Sequence, residues 1–463
     1  MSAEENKLLV AWEQVHGRRS AAAAVLDTRG SVQRTFSDIE AEAVMMAAGP
    51  LGELRHSCVV GIQLGNHPSW PAVLLACWRR GLVALPLERS ISAQEREAAL
   101  QVCHAGALVL DDAASVTVSQ RSHDPVDWGG HVPVLLKLTS GTTAAPRAIR
   151  FRSAQLLADC EQICDTMGIT AADLNFGVIP VSHSYGFSNL LTPLLARGVP
   201  LIMSRDRMPR AVLDDLARTG ATVFPGMPVF YQAFCEMDPA PALPQVRLCL
   251  SAGAPLSLPV ARKFREQFGH AIHSFYGSSE CGGICYDRAA RLEEQGCVGA
   301  PMEDVVVELL DGAAPASRLR VRTAAAGDGY FPQPDEEKLG SGSFAPDDLV
   351  SRFGHGFRIV GRVSDVINVA GKKVNPAEVE AVLLAFTGVR EAVVFGRAST
   401  LRNEEVAACI VAHPAVAEHD LLEFCRHRLS GWQVPKRLFF VEELPVNERG
   451  KLSRRALAER FGR

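Results

Sequence analysis

A hydroxyl-rich stretch, LTSGTTAAPR at residues 138–147, carries the residue types that bind phosphate groups. Gly141 lets a backbone approach an anion closely, and Arg147 adds positive charge. Hydroxyl donors come from Thr139, Ser140, Thr142 and Thr143. The stretch lacks the Gly-Lys-Ser/Thr ending of a Walker phosphate loop. We expect a strand-to-helix turn here, with freed backbone N–H groups that hold an anion; an ordinary polar surface turn is the alternative.

The segments around this loop alternate between strand-like and helix-like patterns. Apolar runs at 59–64 and 82–85 predict strands, and helical spacing at 69–80 predicts a helix between them. Helices are also predicted to begin near Ser153, Pro209 and Ser257. Further apolar runs lie at 132–139, 175–181, 199–203, 221–224 and 246–251. Near-continuous Val/Ile/Leu runs separated by helices indicate parallel strands covered on both faces, so the predicted class is α/β.

From about Val305 the pattern changes to short strands without helices between them, with a Gly/Pro/Asp-rich interval at 327–348. After Gly371 the order is helix, two strands, helix, strand and a final helix, which is long enough for a separate α+β domain. The predicted boundaries are 1–361 for the N-terminal core, 362–366 for a hinge and 367–463 for the C-terminal domain.

Composition excludes some classes of function. The chain has 463 residues, 47% hydrophobic and 22% charged, with a net charge of −4, and it contains no basic tract such as nucleic-acid binding needs. No apolar stretch is long enough to span a bilayer, and the N-terminus lacks a signal-peptide core. Pairs such as Cys160/Cys164 and Cys281/Cys285 have ligand-like spacing, but nothing completes a metal site. The expectation is a cytoplasmic protein with buried, reduced thiols.

Seen with its neighbours, the loop resembles a known signature. TSGTTAAPRAI is similar to the TSGTTGxPKG motif of the adenylate-forming superfamily, which contains acyl- and aryl-CoA synthetases, nonribosomal adenylation domains and luciferases. Further stretches resemble that superfamily in the same order along the chain. They are residues 56–87, PVSHSYGFSN (180–189), LSAGAPLS (250–257), SFYGSSE (274–280), 329–350, GRVSDVINVAGKKVNPAEVE (361–380) and LPVNERGKLSRRAL (444–457).

The resemblance implies a fold and a reaction. The fold has a large N-terminal domain of mostly parallel sheets covered by helices, a small β-barrel-like section, and a small mobile α+β C-terminal domain. In the reaction, a carboxylic acid attacks the α-phosphate of ATP to give acyl-AMP and pyrophosphate. The acyl group then passes to the thiol of CoA, or to the phosphopantetheine of a carrier protein. Such chemistry needs cations, N–H donors and a metal, because anions must be brought together.

The resemblance also implies roles for single residues. Lys451, Glu280 and His183 form the catalytic set: Lys451 bridges the carboxylate and the α-phosphate, and Glu280 with Thr142 holds Mg²⁺. Tyr276 lies against adenine, Ser279 contacts the α-phosphate, and Asp348 and Arg362 hold the ribose. The full implied nucleotide set is Thr139, Ser140, Gly141, Thr142, Thr143, Arg147, Ser251, Gly253, Ala254, Pro255, Tyr276, Gly277, Ser278, Ser279, Asp348 and Arg362.

The acid itself is constrained by His183. Amino-acid-activating relatives place an Asp in the matching stretch, and an imidazole would hold an ammonium poorly. A non-amino acid, aryl or medium acyl, is therefore expected. The implied pocket residues are His183, Phe187, Gly253, Gly277, Cys281, Gly282 and Gly283.

Three departures from the superfamily pattern leave an alternative open. Ala144 replaces the second glycine of the loop, Arg147 stands where the family has Lys, and Ser364 stands at the hinge position. A small residue can serve as a hinge, and Arg still binds phosphate, as a fork. The alternatives are a carrier-protein ligase of the same fold and, in another class, a nucleotide-binding protein that has lost turnover. Retained Lys451 argues against the latter, because a pure binder has little use for it.

Overall fold

The computed structural model describes the chain apart from residues 1–4, 112–115, 140–146, 291–293, 313, 315, 370–371, 400–402, 445–453 and 462–463. The chain forms two compact units. The first consists of Met1–Glu308, Arg320–Pro346 and Arg352–Arg358, and the second of Leu309–Leu319, Asp347–Ser351 and Ile359–Arg463. The mixed α/β class, with a large sheet domain and a small C-terminal domain, is confirmed. The predicted hinge, domain boundaries and barrel-like section stay predictions.

Ten α-helices of the first unit lie within the described residues. They are α1 (Lys7–Arg19), α2 (Phe36–Ala48), α3 (Trp70–Arg79), α4 (Ala93–Val102), α5 (Ser153–Met167), α6 (Ser184–Gly186), α7 (Thr192–Arg197), α8 (Pro209–Thr219), α9 (Pro228–Cys235) and α10 (Leu258–Phe268). A π-helical turn, Phe187–Leu191, joins α6 to α7. Helices α5, α8 and α10 begin within one residue of the predicted positions, and glycines in the left-handed region follow all three.

One sheet of the first unit is built around four neighbouring parallel strands. Its members, numbered along the chain, are β3 (Val59–Gln63), β4 (Val83–Pro86), β5 (Ala105–Asp111), β6 (Val116–Gln120), β7 (Leu135–Leu138), β8 (Ala148–Phe151) and β18 (Gly329–Phe331), in the order β18-β8-β7-β4-β3-β5-β6. Strand β3 is buried at every position, as expected for a strand covered on both faces. Helix α3 is buried from Trp70 to Trp78, as expected for a helix with apolar residues on all of its faces.

The other large sheet has a parallel centre. Its strands as far as β15 along the chain are β1 (Ala23–Leu26), β2 (Val32–Thr35), β9 (Asn175–Gly177), β10 (Leu201–Met203), β11 (Val223–Gly226), β12 (Leu248–Ser251), β13 (Ile272–Ser278), β14 (Gly282–Tyr286) and β15 (Cys297–Pro301), in the order β15-β14-β13-β12-β11-β9-β10-β1-β2. Pairs from β13 to β1 along this path are parallel, and β14 and β2 are antiparallel additions. Both sheets are therefore mixed rather than purely parallel.

Short strands follow β15 without helices between them, as the pattern after Val305 predicts. They are β16 (Val306–Leu309), β17 (Ser317–Arg322), β19 (Leu339–Gly340), β20 (Ser343–Phe344), β21 (Asp348–Phe353) and β22 (Gly356–Arg362).

The second unit has its own sheet and core. Its elements are β23 (Ile367–Val369), β24 (Lys372–Val374), α11 (Pro376–Leu384), β25 (Val389–Ser399), β26 (Asn403–Ala412), α12 (Glu418–Arg426), β27 (Arg437–Phe440) and α13 (Arg454–Phe461). Strand order is β24-β23-β26-β25, with β27 parallel to β26. Alternate residues of β25 supply two cores, Val394 to the one beneath α11 and α12, and Phe395 to the one that contains Leu457 of α13. The predicted order of elements is observed from α11 onwards, but the short strand β24, which lies between Gly371 and α11, was not predicted.

Asn66 connects the two sheets of the first unit. The buried side-chain amide donates to the carbonyls of Gly177, Ile179 and Ser204 at 2.9–3.2 Å, and its oxygen accepts from Val181 N at 3.0 Å. One side chain, which follows β3, thus holds the segments at the ends of β9 and β10 in a fixed position relative to β3. The segment it holds leads directly into the 180–189 stretch.

We expect Asn66→Ala to lower the free energy of unfolding by about 3 kcal/mol, because several buried backbone groups lose their partner at once. Urea denaturation would measure the change. Gln14→Ala, which removes an exposed amide on α1, should stay within about 0.5 kcal/mol of the parent. A loss at Asn66 as small as at Gln14 would contradict this role.

None of the helices in the described part of the chain combines the length and apolar character that crossing a lipid bilayer requires.

Candidate active site

Loops that follow neighbouring parallel strands form the candidate site. Strands β9, β11, β12 and β13 are adjacent and parallel, so their carboxyl ends lie at one edge of the sheet. The stretches 180–184, 251–257 and 278–280 leave from that edge. Ser184 Oγ donates to Ser279 Oγ at 2.9 Å, and this contact joins the first of these stretches to the last. Ser279 and His183 therefore come from loops that meet, and Tyr276 lies in β13 shortly before Ser279.

His183 is fixed by its place at the start of α6. Its ring Nδ1 accepts from Tyr185 N at 3.2 Å, and its carbonyl accepts from Phe187 N at 2.8 Å. Because Nδ1 is an acceptor, a neutral ring carries its proton on Nε2. The imidazole is only partly buried. It thus has a defined orientation at the edge where the loops gather.

Two buried hydroxyls at this edge have no hydrogen-bond partner in the described structure, Ser182 Oγ and Ser251 Oγ. Ser182 precedes His183, and Ser251 ends β12 within the 250–257 stretch. Buried polar atoms in native proteins are normally paired, and an unpaired one calls for a ligand or water. The edge therefore fits a polar ligand such as a nucleotide.

Glycine is required at two of the predicted positions. Gly253 has φ +85°, with open space where a side chain would stand, so its loop leaves room for a flat group. A Cβ on Gly277 would lie 2.6 Å from the carbonyl oxygen of Gly282, and therefore the two strands could not pair closely. Ala254 and Pro255, which follow Gly253, are exposed, and Tyr276 is buried.

Glu280 lies at the centre of a chain of contacts. Tyr330 Oη donates to its Oε1 at 3.1 Å, and the guanidinium of Arg147 lies 4.3 Å from the centre of the Tyr330 ring. Burial raises the pKa of the Glu280 carboxyl. The hydrogen bonds that Glu280 accepts and, separately, the positive charge of Lys338 lower that pKa, but they oppose the rise only in part. The predicted phosphate-binding arginine and the predicted metal ligand are thus linked through one tyrosine.

The residues present fit Mg²⁺ in one particular way. The described residues contain no group of three or more His, Cys, Asp or Glu side chains able to hold a metal. Mg²⁺ often takes only one or two carboxylates from a protein and completes its shell with phosphate oxygens and water. Glu280 can supply the carboxylate. Thr142, the second predicted ligand, lies outside the described residues.

Tyr330 was missed by sequence reasoning although it stands in the quoted 329–350 stretch. We expect Tyr330→Phe to lower pyrophosphate exchange about tenfold, which corresponds to one hydrogen bond to a charged group. The phenyl ring should keep its contact with Arg147. Steady-state exchange at varied Mg²⁺ would measure the effect, with a higher Mg²⁺ requirement expected. Unchanged kinetics in this variant would show that the hydroxyl does not position Glu280.

The secondary structure on either side of the predicted phosphate loop, residues 138–147, differs from the prediction. Strands β7 and β8 are antiparallel neighbours, with Leu138 opposite Ala148, so the loop closes a hairpin; the expected strand-to-helix turn is wrong. Thr139 donates to the Arg147 carbonyl through both N (2.8 Å) and Oγ1 (3.2 Å), which holds the ends of the loop together. Helix α5 begins only after β8. Ser140, Gly141, Thr142, Thr143 and Ala144 lie outside the described residues.

Two of the residues predicted to line the acid pocket are buried. Phe187 in the π-helical turn and Cys281, directly before β14, are at most 1% exposed. Ser278 Oγ accepts from Cys281 N at 3.3 Å, and burial raises the pKa of the Cys281 thiol, so this cysteine is a packing residue. Gly282 has φ +70°, and a Cβ there would overlap the carboxylate of Asp159.

A buried polar chain, Lys137–Ser188–Asp159, lies directly behind these residues and was also missed. Lys137 is 5% exposed in β7, and Asp159 is 3% exposed in α5. The sequence signal that could have revealed this buried polar chain is the single lysine in the apolar strand LLKL.

The second unit holds the other predicted residues. Arg362 Nε donates to Asp348 Oδ1 at 2.9 Å, so the two residues predicted at the ribose are brought together. Ser364 is exposed in a short 3₁₀ turn, Val363–Asp365. Arg454, the first residue of α13, donates to Asp365 Oδ2 at 2.6 Å and Glu380 Oε1 at 2.7 Å. Lys451 and Gly371 lie outside the described residues.

A cleft of about 640 Å³ lies elsewhere in the first unit, next to Asn66, His67, Met203, Arg205 and Asp215. None of the predicted site residues lines it. We place the chemistry at the loop edge rather than in this cleft, because the orphaned hydroxyls and Glu280 lie at the loops.

Comparison with known proteins identifies the class. Residues 11–318, more than half of the chain, match the AMP-binding enzyme family, and residues 378–451 match the AMP-binding enzyme C-terminal domain. The chain therefore belongs to the AMP-binding enzyme family, and the superfamily predicted from the motifs is confirmed. Its predicted enzyme class, AMP-forming acid–thiol ligase, is confirmed as well.

Particular relatives are similar over most of their length. The feruloyl-CoA synthase of Amycolatopsis sp is 26% identical over 99% of this chain and 100% of that protein. The 3,4-dihydroxybenzoate–[aryl-carrier protein] ligase of Bacillus anthracis is 26% identical over 72% of this chain and 76% of its own length. ATP-bound MatB from Rhodopseudomonas palustris shares the fold, with a TM-score of 0.85 at 22% identity over 98% and 99% of the two chains.

Proposed function

We propose that this protein activates a non-amino carboxylic acid with ATP and transfers the acyl group to the thiol of CoA. The observation that carries the proposal is the meeting of Ser184, Ser279 and the Glu280–Tyr330–Arg147 contacts at the carboxyl edge of a parallel sheet. These are groups of the kind that bind and orient phosphate and a metal ion. Family membership supports adenylate formation as the first step.

In the first step, a carboxylate oxygen of the acid attacks the α-phosphorus of ATP. The bond from that phosphorus to the bridging oxygen breaks, and its electron pair leaves with pyrophosphate. Arg147 would draw charge from the leaving group, and Ser279 would orient the α-phosphate. Glu280 and Thr142 would hold Mg²⁺, which supplies charge stabilisation on the phosphate oxygens when bound. Tyr330 keeps Glu280 in place.

In the second step, the sulfur of CoA attacks the acyl carbon, the thiol proton is lost to solvent, and AMP leaves with the electron pair of the acyl–oxygen bond. Ser364 would be the point at which the chain turns between the two steps, because an exposed residue in a short 3₁₀ turn can change its backbone angles with little loss of packing. Asp348 and Arg362 would hold the ribose through both steps.

A non-amino acid is supported by the charges at the pocket. Where an amino acid would need a carboxylate, the chain has His183. Asp159, a buried carboxylate beside Gly282, already accepts from Ser188 Oγ at 2.5 Å and Gly283 N at 3.0 Å. Neither group offers an ammonium a good partner.

A carrier protein is the second candidate acceptor, since a relative from Bacillus anthracis is named as an aryl-carrier ligase. Both acceptors end in the same phosphopantetheine thiol, so the residues at the acid and nucleotide would be shared.

ATP–pyrophosphate exchange over a panel of aryl, fatty and amino acids tests the first step, and thioester assays with CoA and with carrier protein test the second. We expect exchange with a non-amino acid and thioester formation with CoA. Binding of ATP without exchange for any acid would overturn the proposal. Best exchange with an amino acid would overturn the role of His183, and exclusive use of a carrier protein would replace CoA as the acceptor.

A further inference from the structure

Lys137 is a buried ammonium in an otherwise apolar strand. It is 5% exposed, and Leu135, Leu136 and Leu138 complete β7. Its Nζ lies 4.7 Å from the centre of the Phe151 ring and 5.4 Å from the centre of the Phe187 ring. Two aromatic faces stabilise the cation, but they satisfy none of its three N–H donors as an oxygen would.

The hydrogen bonds of this ammonium are incomplete. Within the described part of the chain the ammonium makes one hydrogen bond, to Ser188 Oγ at 3.5 Å, and no carboxylate lies within ion-pair distance. A typical N–H···O hydrogen bond is shorter, so even this contact is weak. Burial lowers the pKa of Lys137, and the charge of Asp159 opposes that change. Lys137 therefore has donors to spare.

Asp159, by contrast, is already held by the protein. Its Oδ2 accepts from Ser188 Oγ at 2.5 Å and its Oδ1 from Gly283 N at 3.0 Å. Ser188 gives its proton to this carboxylate, so it can only accept from Lys137. Asp159 balances the charge of the lysine through this serine and leaves the ammonium as the group with unused hydrogen-bonding capacity.

The position of the ammonium is next to the predicted acid pocket. Phe187, which its Nζ faces, is a predicted wall residue, and Cys281 and Glu280 are near enough to influence the pKa of Lys137. Asp159 lies against Gly282 and Gly283, which are also predicted pocket residues. The cation is thus next to residues predicted to line the acid pocket, directly at Phe187 and through Asp159 at the two glycines.

We propose that Lys137 selects acids that carry a second oxygen anion or acidic hydroxyl, at the end away from the reacting carboxylate. The inference rests on the proposed function, because it names the acid that the same pocket takes. Such a group would complete the hydrogen bonds of the ammonium, whereas a methyl group there would leave a buried cation unpaired. The shared chemistry is an acidic oxygen, from either a carboxyl or a phenol.

Matched acids test the proposal in pyrophosphate exchange. In one series, 4-carboxybenzoate and 4-hydroxybenzoate are compared with 4-methylbenzoate, and in another adipate is compared with hexanoate. The expected kcat/KM is about tenfold or more higher for the acid with the oxygen group in at least one series. Comparing the carboxyl and hydroxyl members shows which source the pocket prefers. Equal or better use of the methyl and unsubstituted acids in both series would overturn the proposal.

A set of variants assigns that preference to Lys137. Lys137→Met keeps length and loses charge, and we expect it to remove the preference through a loss of about tenfold for the oxygen-bearing acids alone. Lys137→Arg should retain it, and Lys263→Met, an exposed lysine on α10, should change nothing. An equal loss for every acid in Lys137→Met would mean a structural role and overturn the proposal.

Pyrophosphate exchange distinguishes failure of the proposed function from failure of the inference about Lys137. If the wild-type protein shows no exchange with any acid, adenylation itself is wrong and the inference falls with it. If exchange occurs without the preference, only the inference is overturned. If Lys137→Met does not fold, an absent preference in the wild-type protein still overturns the proposal, and loss of the preference in Lys137→Arg would count against it.

Discussion

Replacing Glu280 with Gln is expected to lower ATP–pyrophosphate exchange by about a thousandfold, because the amide cannot supply the negative charge that a Mg²⁺–phosphate complex needs. The fold should survive, since Gln has the same shape and Tyr330 Oη can still donate to its oxygen. Removing a buried carboxylate whose pKa is raised by burial should not destabilise the protein. Exchange at saturating acid, with urea denaturation alongside, measures both effects.

Glu266→Gln provides the matched control for Glu280, because Glu266 is exposed on α10. Wild-type exchange is expected for that variant. Exchange within threefold of wild type in Glu280→Gln would show that this carboxylate holds no metal during the reaction.

Lys451→Ala is expected to lower acyl-AMP formation by about a thousandfold and to leave thioester formation from supplied acyl-AMP largely intact. The resemblance places this lysine between the carboxylate and the α-phosphate in the first step only. Three residues further along the chain, Arg454 is fixed by Asp365 and Glu380 within the second unit. The two half-reactions are measured separately, by pyrophosphate release and by thioester formation.

Lys436→Ala is the comparison for Lys451, because Lys436 is an exposed lysine of the same unit. Both of its half-reactions should match wild type. Equal loss of the two half-reactions in Lys451→Ala would contradict a two-step mechanism with separate residues for each step.

Much of the fold was predictable because its strands are buried on both faces. Runs such as 59–64 and 246–251 read as strands from composition alone, and β3 and β12 lie there. Strand β8 was missed because four residues, AIRF, carry too little pattern to be separated from the helix that follows. Pairing direction also depends on contacts across the sheet, so the hairpin between β7 and β8 had no local signal.

The candidate site was predictable only where a short motif carries the residue. His183, Ser279 and Glu280 stand in such motifs, and Ser184 brings the first of these loops to the second. Tyr330 and Lys137 act through partners that are far away in sequence, Glu280 for one and Ser188 for the other. The sequence alone reveals neither the hydrogen bonds of Tyr330 and Lys137 nor the burial of their side chains. The roles proposed for both residues depend on these long-range contacts.

The close approach of Gly282 to Asp159 limits how acid specificity in this lineage can change. Because a side chain at 282 would overlap the Asp159 carboxylate, a larger residue there is tolerated only after position 159 has become smaller. Shrinking 159 first removes the carboxylate that balances Lys137. The order of substitutions therefore matters, and neighbouring sites of this kind do not add independently. A directed-evolution library that varies 137, 159 and 282 together would reach pockets that stepwise mutation cannot.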